Sequence, residues 1–257
     1  AEALLDSLVN DDVTDTGFLF DDDEDGYFNF APDSGDPNQM VVWNWKANGG
    51  TTSSNTDGSI TSTVQANTTA GFSIVLYNGE GDGQATVGHG LGVKPQVIIP
   101  KNRGASGSFH MYHEAIDSSA PEDYGILLNS TNARADDAGF HNDTAPTSSV
   151  FTVGTYNNFD NDYVAYCFAE VEGYSKFGSY TGNSSADGTF VYLGFRPAFI
   201  LWKKTTDADD WGIHDNTRDT SNVVENVLRP NLPNVEFDGA SCDFLSNGFK
   251  WRVDSGL

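Results

Sequence analysis

The chain has 257 residues, in which 13 Lys and Arg face 37 Asp and Glu, a formal net charge of −24. A nucleic-acid binder needs cations against phosphates, and an anionic bilayer surface repels such a chain, so neither partner is expected. No apolar run approaches the ~20 residues of a membrane-crossing helix, and no basic stretch followed by an apolar one opens the sequence as a signal peptide would.

Aromatic residues make up 12% of the chain, led by 17 Phe and 10 Tyr. Disordered chains are poor in aromatics, so an acidic protein with an aromatic core is predicted. The 27 glycines predict many tight turns. Cys167 and Cys242 cannot build a disulfide framework; they read as one bridge or, preferably, as two buried thiols.

In chain order, Glu2–Val9 is apolar on one face and helix-capable. Asp21-Asp22-Asp23-Glu24-Asp25-Gly26 follows. Asp21, Asp23 and Asp25 place hard oxygen donors on alternate residues before a turn glycine, the first half of a calcium loop. The second half fails, because Pro32 stands where a bidentate Glu belongs and Asp33 is beside it. A solvated acidic turn is the competing reading. Residues 39–46 contain Met40, Val42, Trp43 and Trp45 and read as a strand. Asn48–Ala70 is a Gly/Ser/Thr-rich connector, although its Gly58–Gln65 stretch alternates like a strand.

From residue 71 the chain repeats itself. Tyr77 and Tyr180 stand 103 residues apart, Pro95 and Pro197 102, Phe109 and Trp211 102, and Phe151 and Phe249 98, each in similar surroundings. Two units follow, 71–172 and 173–257, with strands predicted at Ser73–Tyr77, Val97–Ile99, Asp162–Ala169, Phe177–Tyr180, Phe190–Leu193 and Phe199–Trp202. Ser221–Leu228 is helix-capable, with a cap-like start and Pro230 beyond its end. The second unit shows no counterpart of the Asp162–Ala169 strand, whereas residues 1–47 hold one near Met40–Lys46. An unpaired edge invites cover. Met40, Val42, Trp43 and Trp45 are therefore expected to complete the second unit by strand exchange, within the chain or from a neighbour. The alternative is that protein outside these ends supplies both units. The expected fold is all-β, two duplicated antiparallel sandwich-like units.

Catalytic patterns are sparse. No Gly-x-Ser-x-Gly elbow, paired-Cys zinc pattern or zinc-protease His pair occurs. His110 and His113 point to opposite faces of a strand, so they and Glu114 do not suit one metal. The glycine runs at 79–83 and 88–92 lack the spacing of a phosphate cradle. Acidic residues do not recur at matched positions in the two units, so what duplication kept is scaffold. Trp43, Trp45, Trp202, Trp211 and Trp251 read mainly as core. Trp211, amid Asp207, Asp209 and Asp210, is the candidate exposed aromatic for stacking on a sugar. Sequons stand at Asn67, Asn129, Asn142 and Asn183.

The runs Asn55–Val64, Thr69–Val75, Val87–Pro95, Tyr163–Gly173, Phe177–Asn183, Thr189–Pro197 and Asp243–Lys250 resemble a repeat family of structural proteins in marine tailed phages, cyanophages among them. The resemblance spans about Val41 to Arg252 and excludes the acidic start, Asp6–Asp36. It implies a β-rich, virion-associated module and supplies no catalytic residues to carry over. The expectation is a non-catalytic structural protein at the particle surface, an appendage or fibre component that attaches to host surfaces. Its partners would be further copies of itself, other virion proteins and host glycans, with calcium the one cofactor considered. A capsid decoration (cement) protein and a carbohydrate-binding module of a receptor-binding fibre are the alternatives. A hydrolase would require two converging carboxylates.

Overall fold

A computed structural model describes residues 43–48, 50–81 and 83–253. Its strands are β1 (Ser53–Asn55), β2 (Ser62–Asn67), β3 (Phe72–Asn78), β4 (Ala85–Gly88), β5 (Val97–Asn102), β6 (His110–His113), β7 (Tyr124–Leu127), β8 (Ala135–Asp136), β9 (Val150–Val153) and β10 (Asp162–Phe168). They continue as β11 (Phe190–Tyr192), β12 (Phe199–Lys203), β13 (Trp211–Asp215), β14 (Val224–Val227), β15 (Phe237–Leu245) and β16 (Gly248–Trp251). Helix is limited, among the described residues, to 3-10 turns at Pro121–Asp123 and Thr155–Asn157. No helix among them is long and apolar enough to cross a membrane.

The protein is all-β, with antiparallel strand pairing throughout the sheets. Eight strands form the main sheet in the order β1-β2-β3-β10-β5-β6-β7-β8. Strand β10 closes the first unit in sequence yet lies at the sheet centre, between β3 and β5. Its side chains alternate between two cores. Tyr163, Ala165 and Cys167 face one, with Val75, Tyr77, Ile98 and the β4–β9 pair. Val164, Tyr166 and Phe168 face the other. A strand covered on both faces reads as a near-continuous apolar run, which accounts for the sequence from Tyr163 to Phe168. Each Val or Phe so buried contributes about 1.5–3 kcal/mol.

The second face is closed by the later part of the chain. Trp211 of β13 lies in its core, with Leu201 of β12 and Phe177 packed against it. The sheet order β11-β16-β15-β14 and the pair β12–β13 surround a third core of Ile200, Val224, Cys242, Phe244, Phe249 and Trp251. Matched segments pair alike. Strand β4 pairs with β9 as β11 does with β16, and β5 with β6 as β12 does with β13. The matched glycines Gly71 and Gly173 hold φ of 65° and 76°, and Gly92 and Gly194 hold 73° and 86°. These are left-handed values that glycine adopts without a Cβ penalty.

Several local expectations change. Ser221–Leu228 forms strand β14, not a helix: Val224 and Val227 turn into the core and pair with Cys242 and Phe237. Tertiary pairing overrides a weak helical preference there. Phe177–Tyr180 makes no strand. Its counterpart β3 lies between β2 and β10, whereas Gly178 and Gly182 weaken this segment and Tyr180 packs on Trp251 at 6.1 Å. The connector contributes β1 and β2 to the main sheet.

Residues 43–48 join no ladder. Trp43 meets Phe199 at 5.8 Å, Trp45 meets Phe199 at 5.6 Å and Phe168 at 6.1 Å, and Ala47 is buried in the second core. The segment thus touches the start of β12 and the end of β10 through its rings. Met40, Val42, Glu2–Val9 and the acidic loop with Asp21, Asp23 and Asp25 lie outside the described residues. Both cysteines are free and buried, and burial pushes each thiol up to about 12.

Candidate functional site

A surface cleft lies beside β6, where the chain leaving β9 turns back into β10. Gly154 approaches the Ala138 and Gly139 carbonyls so closely that a Cβ would fall 2.5 Å from each. The turn that follows reads Thr155-Tyr156-Asn157-Asn158-Phe159. Both asparagines are buried and anchor it. Asn157 Oδ1 accepts from His110 Nδ1 at 2.8 Å, its Nδ2 donates to the Phe140 carbonyl at 3.2 Å, and its own carbonyl accepts from Tyr77 OH at 3.0 Å. Asn158 Oδ1 accepts from Glu80 N at 3.1 Å, and its Nδ2 donates to the Gly83 carbonyl at 3.3 Å. Buried amides need such partners. With the asparagines turned inward, Tyr156 and Phe159 remain 40% and 52% exposed.

Tyr156 is held on several sides. Its hydroxyl donates to Asp137 at 2.7 Å. Its ring stacks on His110 at 5.5 Å and 24°, and Phe140 meets it edge-on at 5.6 Å and 90°. A side chain on Gly139 would collide with the ring, 2.5 Å from a Cβ. The opposite wall is the loop after β5. There Asn102 Oδ1 accepts from Gly104 N at 2.8 Å and Ala105 N at 2.9 Å, while its Nδ2 donates to Tyr163 OH at 3.1 Å. Lys101 is spent on the Gly107 carbonyl at 2.6 Å and on the Phe109 ring, 4.8 Å from its centre. The cleft between the walls, about 140 Å³, is lined by Asn102, Ser106, Ser108, His110, Tyr156 and Phe159. A second groove of about 240 Å³ adjoins it across His110 and Tyr156 and runs along β7 past Asp137.

Burial holds the His110 imidazole below its ordinary range, so it is neutral at pH 7. The Tyr156 hydroxyl bond holds Asp137 low and ionised, and the same bond pushes the Tyr156 phenol up. With its amides engaged in the turns they anchor, the cleft wall offers the Ser106 and Ser108 hydroxyls, a neutral imidazole and two rings. Such a group set reads a polar, uncharged ligand through hydrogen bonds and stacking.

The residues singled out from sequence sit elsewhere. Trp211 is corrected: it is 5% exposed in the second core, and its Nε1 donates to the Leu127 carbonyl at 2.9 Å. An indole so enclosed cannot stack on a sugar. The acidic neighbours that suggested exposure are structural, since Asp210 pairs with Arg229 at 3.0 Å and accepts from Asn231 at 2.9 Å. Trp45 is partly exposed at the seam described above. His113 Nδ1 accepts from Ala115 N at 3.1 Å, and Glu114 takes Lys94 at 2.7 Å and Tyr112 OH at 2.6 Å, so neither joins His110. The 88–92 glycine run wraps His89, whose Nδ1 accepts from Leu91 N at 3.2 Å. Among the described residues no three His, Cys, Asp or Glu side chains gather as metal ligands. Two sequon asparagines are engaged as caps: Asn67 Oδ1 accepts from Ala70 N at 3.0 Å, and Asn129 Oδ1 from Phe109 N at 3.0 Å. Sequence reading missed Tyr156 and Phe159, whose one local signal is a pair of asparagines between two aromatics in a turn.

Fold and cleft together define an all-β protein of paired β units that carries a neutral aromatic cleft on its first unit. The chain belongs to a family described as a domain of unknown function (DUF7483), matched over residues 5–257. No curated protein and no solved structure matches it.

Proposed function

We propose that the chain is a non-catalytic structural module of a bacteriophage particle, an appendage or fibre component displayed at the particle surface. The observation that supports this reading most is the fusion of its β units. Trp211 from the second unit sits in the core of the first, and the matched segments pair alike. Units sharing a core make a stiff block, and stiff blocks in series suit an extended appendage. The resemblance of the repeated runs to marine tailed-phage structural proteins supports the same reading. Its partners are further copies of the chain, other virion proteins and host-surface glycans.

Two measurements test it. Light scattering in sea-strength salt should give a closed oligomer or a polymer; a monomer at every concentration overturns the appendage reading. Antibody labelling of particles that encode the chain should mark tail appendages. Label spread over the shell would assign it to capsid decoration instead.

A further inference from the structure

We propose that the cleft between residues 102–108 and 154–159 binds one neutral pyranose ring of a surface polysaccharide. The inference deepens the appendage reading, on which it rests for the copy number that a weak site needs.

Three features point to this ligand. First, two rings converge on one cleft and stay exposed. Single exposed apolar side chains are ordinary. Here Tyr156 and Phe159 flank the buried amides that fix their turn, and Tyr156 is held further by Asp137, His110 and Phe140. A pre-ordered aromatic face loses little freedom when a ligand lies on it. The apolar C–H face of a pyranose is the complement of such a ring.

Second, the polar groups that line the cleft itself are uncharged. Ser106 and Ser108 line the cleft with a neutral His110, and their hydroxyls both donate and accept as a sugar's do. No Lys or Arg is among the lining residues, and Lys101 beside the cleft is occupied by Gly107 and Phe109. Asp137 beside Tyr156 is ionised, and the chain carries a net charge of −24. Uronic, sialic and sulfated sugars are therefore disfavoured.

Third, the size fits one ring and little more. At about 140 Å³ the cleft lies below the ~300 Å³ at which drug-sized pockets begin. A single shallow contact implies a Kd of about 1 mM. Linked copies can raise such an affinity by about 10²–10⁴.

The test uses the full chain and saturation-transfer and chemical-shift NMR. The probes are methyl glycosides of glucose, galactose, mannose and N-acetylglucosamine, with glucuronic and N-acetylneuraminic acid for contrast. At least one neutral glycoside should bind with a Kd of about 1 mM and move the Tyr156 and Phe159 ring signals. The two acids should bind about tenfold more weakly. Phe159→Ser, at an exposed position, should weaken binding about tenfold or more with an unchanged fold by near-ultraviolet circular dichroism. Tyr156→Phe keeps the ring and should keep binding. No ring shift with any neutral glycoside at about 50 mM overturns the proposal, as does tighter binding of either acid, or binding indifferent to Phe159→Ser. Binding by a chain that scatters as a monomer would uphold the cleft and overturn the appendage reading. An oligomer without binding would do the reverse.

Discussion

At the scale of single residues, Trp211 connects the two units. It fills the second core and satisfies the Leu127 carbonyl. Trp211→Ala should cost about 3–5 kcal/mol, as large-to-small changes in cores do. Trp211→Phe should cost about 0.5–1.5 kcal/mol, the range of one lost hydrogen bond, because the Leu127 carbonyl keeps the Ser130 N–H at 3.3 Å. Urea unfolding of both variants measures this, and a loss under ~0.5 kcal/mol, the surface range, would contradict the packing described. The histidines set a pH response. Burial lowers all five, His141 to about 3 and His214 to about 4. In the unfolded chain they titrate near 6.5. As pH falls through that value the unfolded chain binds protons that the folded chain refuses, so stability present above pH ~6.5 is lost on acidification and the loss levels off near pH ~3–4. The unfolding temperature should drop between about pH 7.5 and 5.5, a window in which most carboxylates keep their charge. His214→Gln should flatten the slope even if it lowers the plateau. Sequence reading placed Trp211 outside because it weighed the three nearby aspartates, of which Asp210 in fact ties two loops together through Arg229 and Asn231. It missed the cleft because Tyr156 and Phe159 are separated by some 50 residues from Ser106, Ser108 and His110.

At the scale of elements, the turn glycines announced the strands well. Gly71 and Gly173, and Gly92 and Gly194, mark the same positions in the two units and adopt the same left-handed backbone. Their surroundings differ, which permits a paired prediction. A Cβ on Gly71 would fall 2.3 Å from the Ala169 carbonyl, whereas one on Gly173 meets nothing within 4 Å. Gly173→Ala should cost about 1–2 kcal/mol, the left-handed penalty alone. Gly71→Ala should cost distinctly more, because backbone must move as well. Thermal unfolding of the two variants compares them, and equal losses would mean that the Gly71 turn yields freely. Strand positions were thus legible in part, with Phe177–Tyr180 and Ser221–Leu228 misjudged, and strand order was not. Nothing local to Asp162–Phe168 says that it inserts between β3 and β5; that follows from covering both faces of the sheet. Likewise the valines of Ser221–Leu228 allow helix or strand on local grounds, and pairing with β15 decides.

At the scale of the whole molecule, the shared core predicts cooperativity. Trp211, Leu201 and Phe177 leave the second core when the later unit unfolds, exposing the face of β3, β5 and β10 that they cover. Scanning calorimetry should therefore show one transition, with calorimetric and van't Hoff enthalpies in agreement. Two resolved transitions would mean that the seam contributes little. The net charge of −24 predicts a salt response of definite sign. Screening shortens from ~10 Å at 0.1 M to ~3 Å at 1 M, which relieves self-repulsion in the compact state. The unfolding temperature should rise with added sodium chloride, since the exposed pairs that salt weakens, such as Lys176–Glu170 and Lys204–Asp207, are worth only ~0–1 kcal/mol each. The Trp211 seam also bears on descent. A duplicated unit whose side chain fills its sibling's interior is no longer a spare part. A recombination crossover between the two would strip one product of its filling and leave the other with a stranded indole. Inheritance should therefore treat the pair as indivisible, with breakpoints selected to fall outside it.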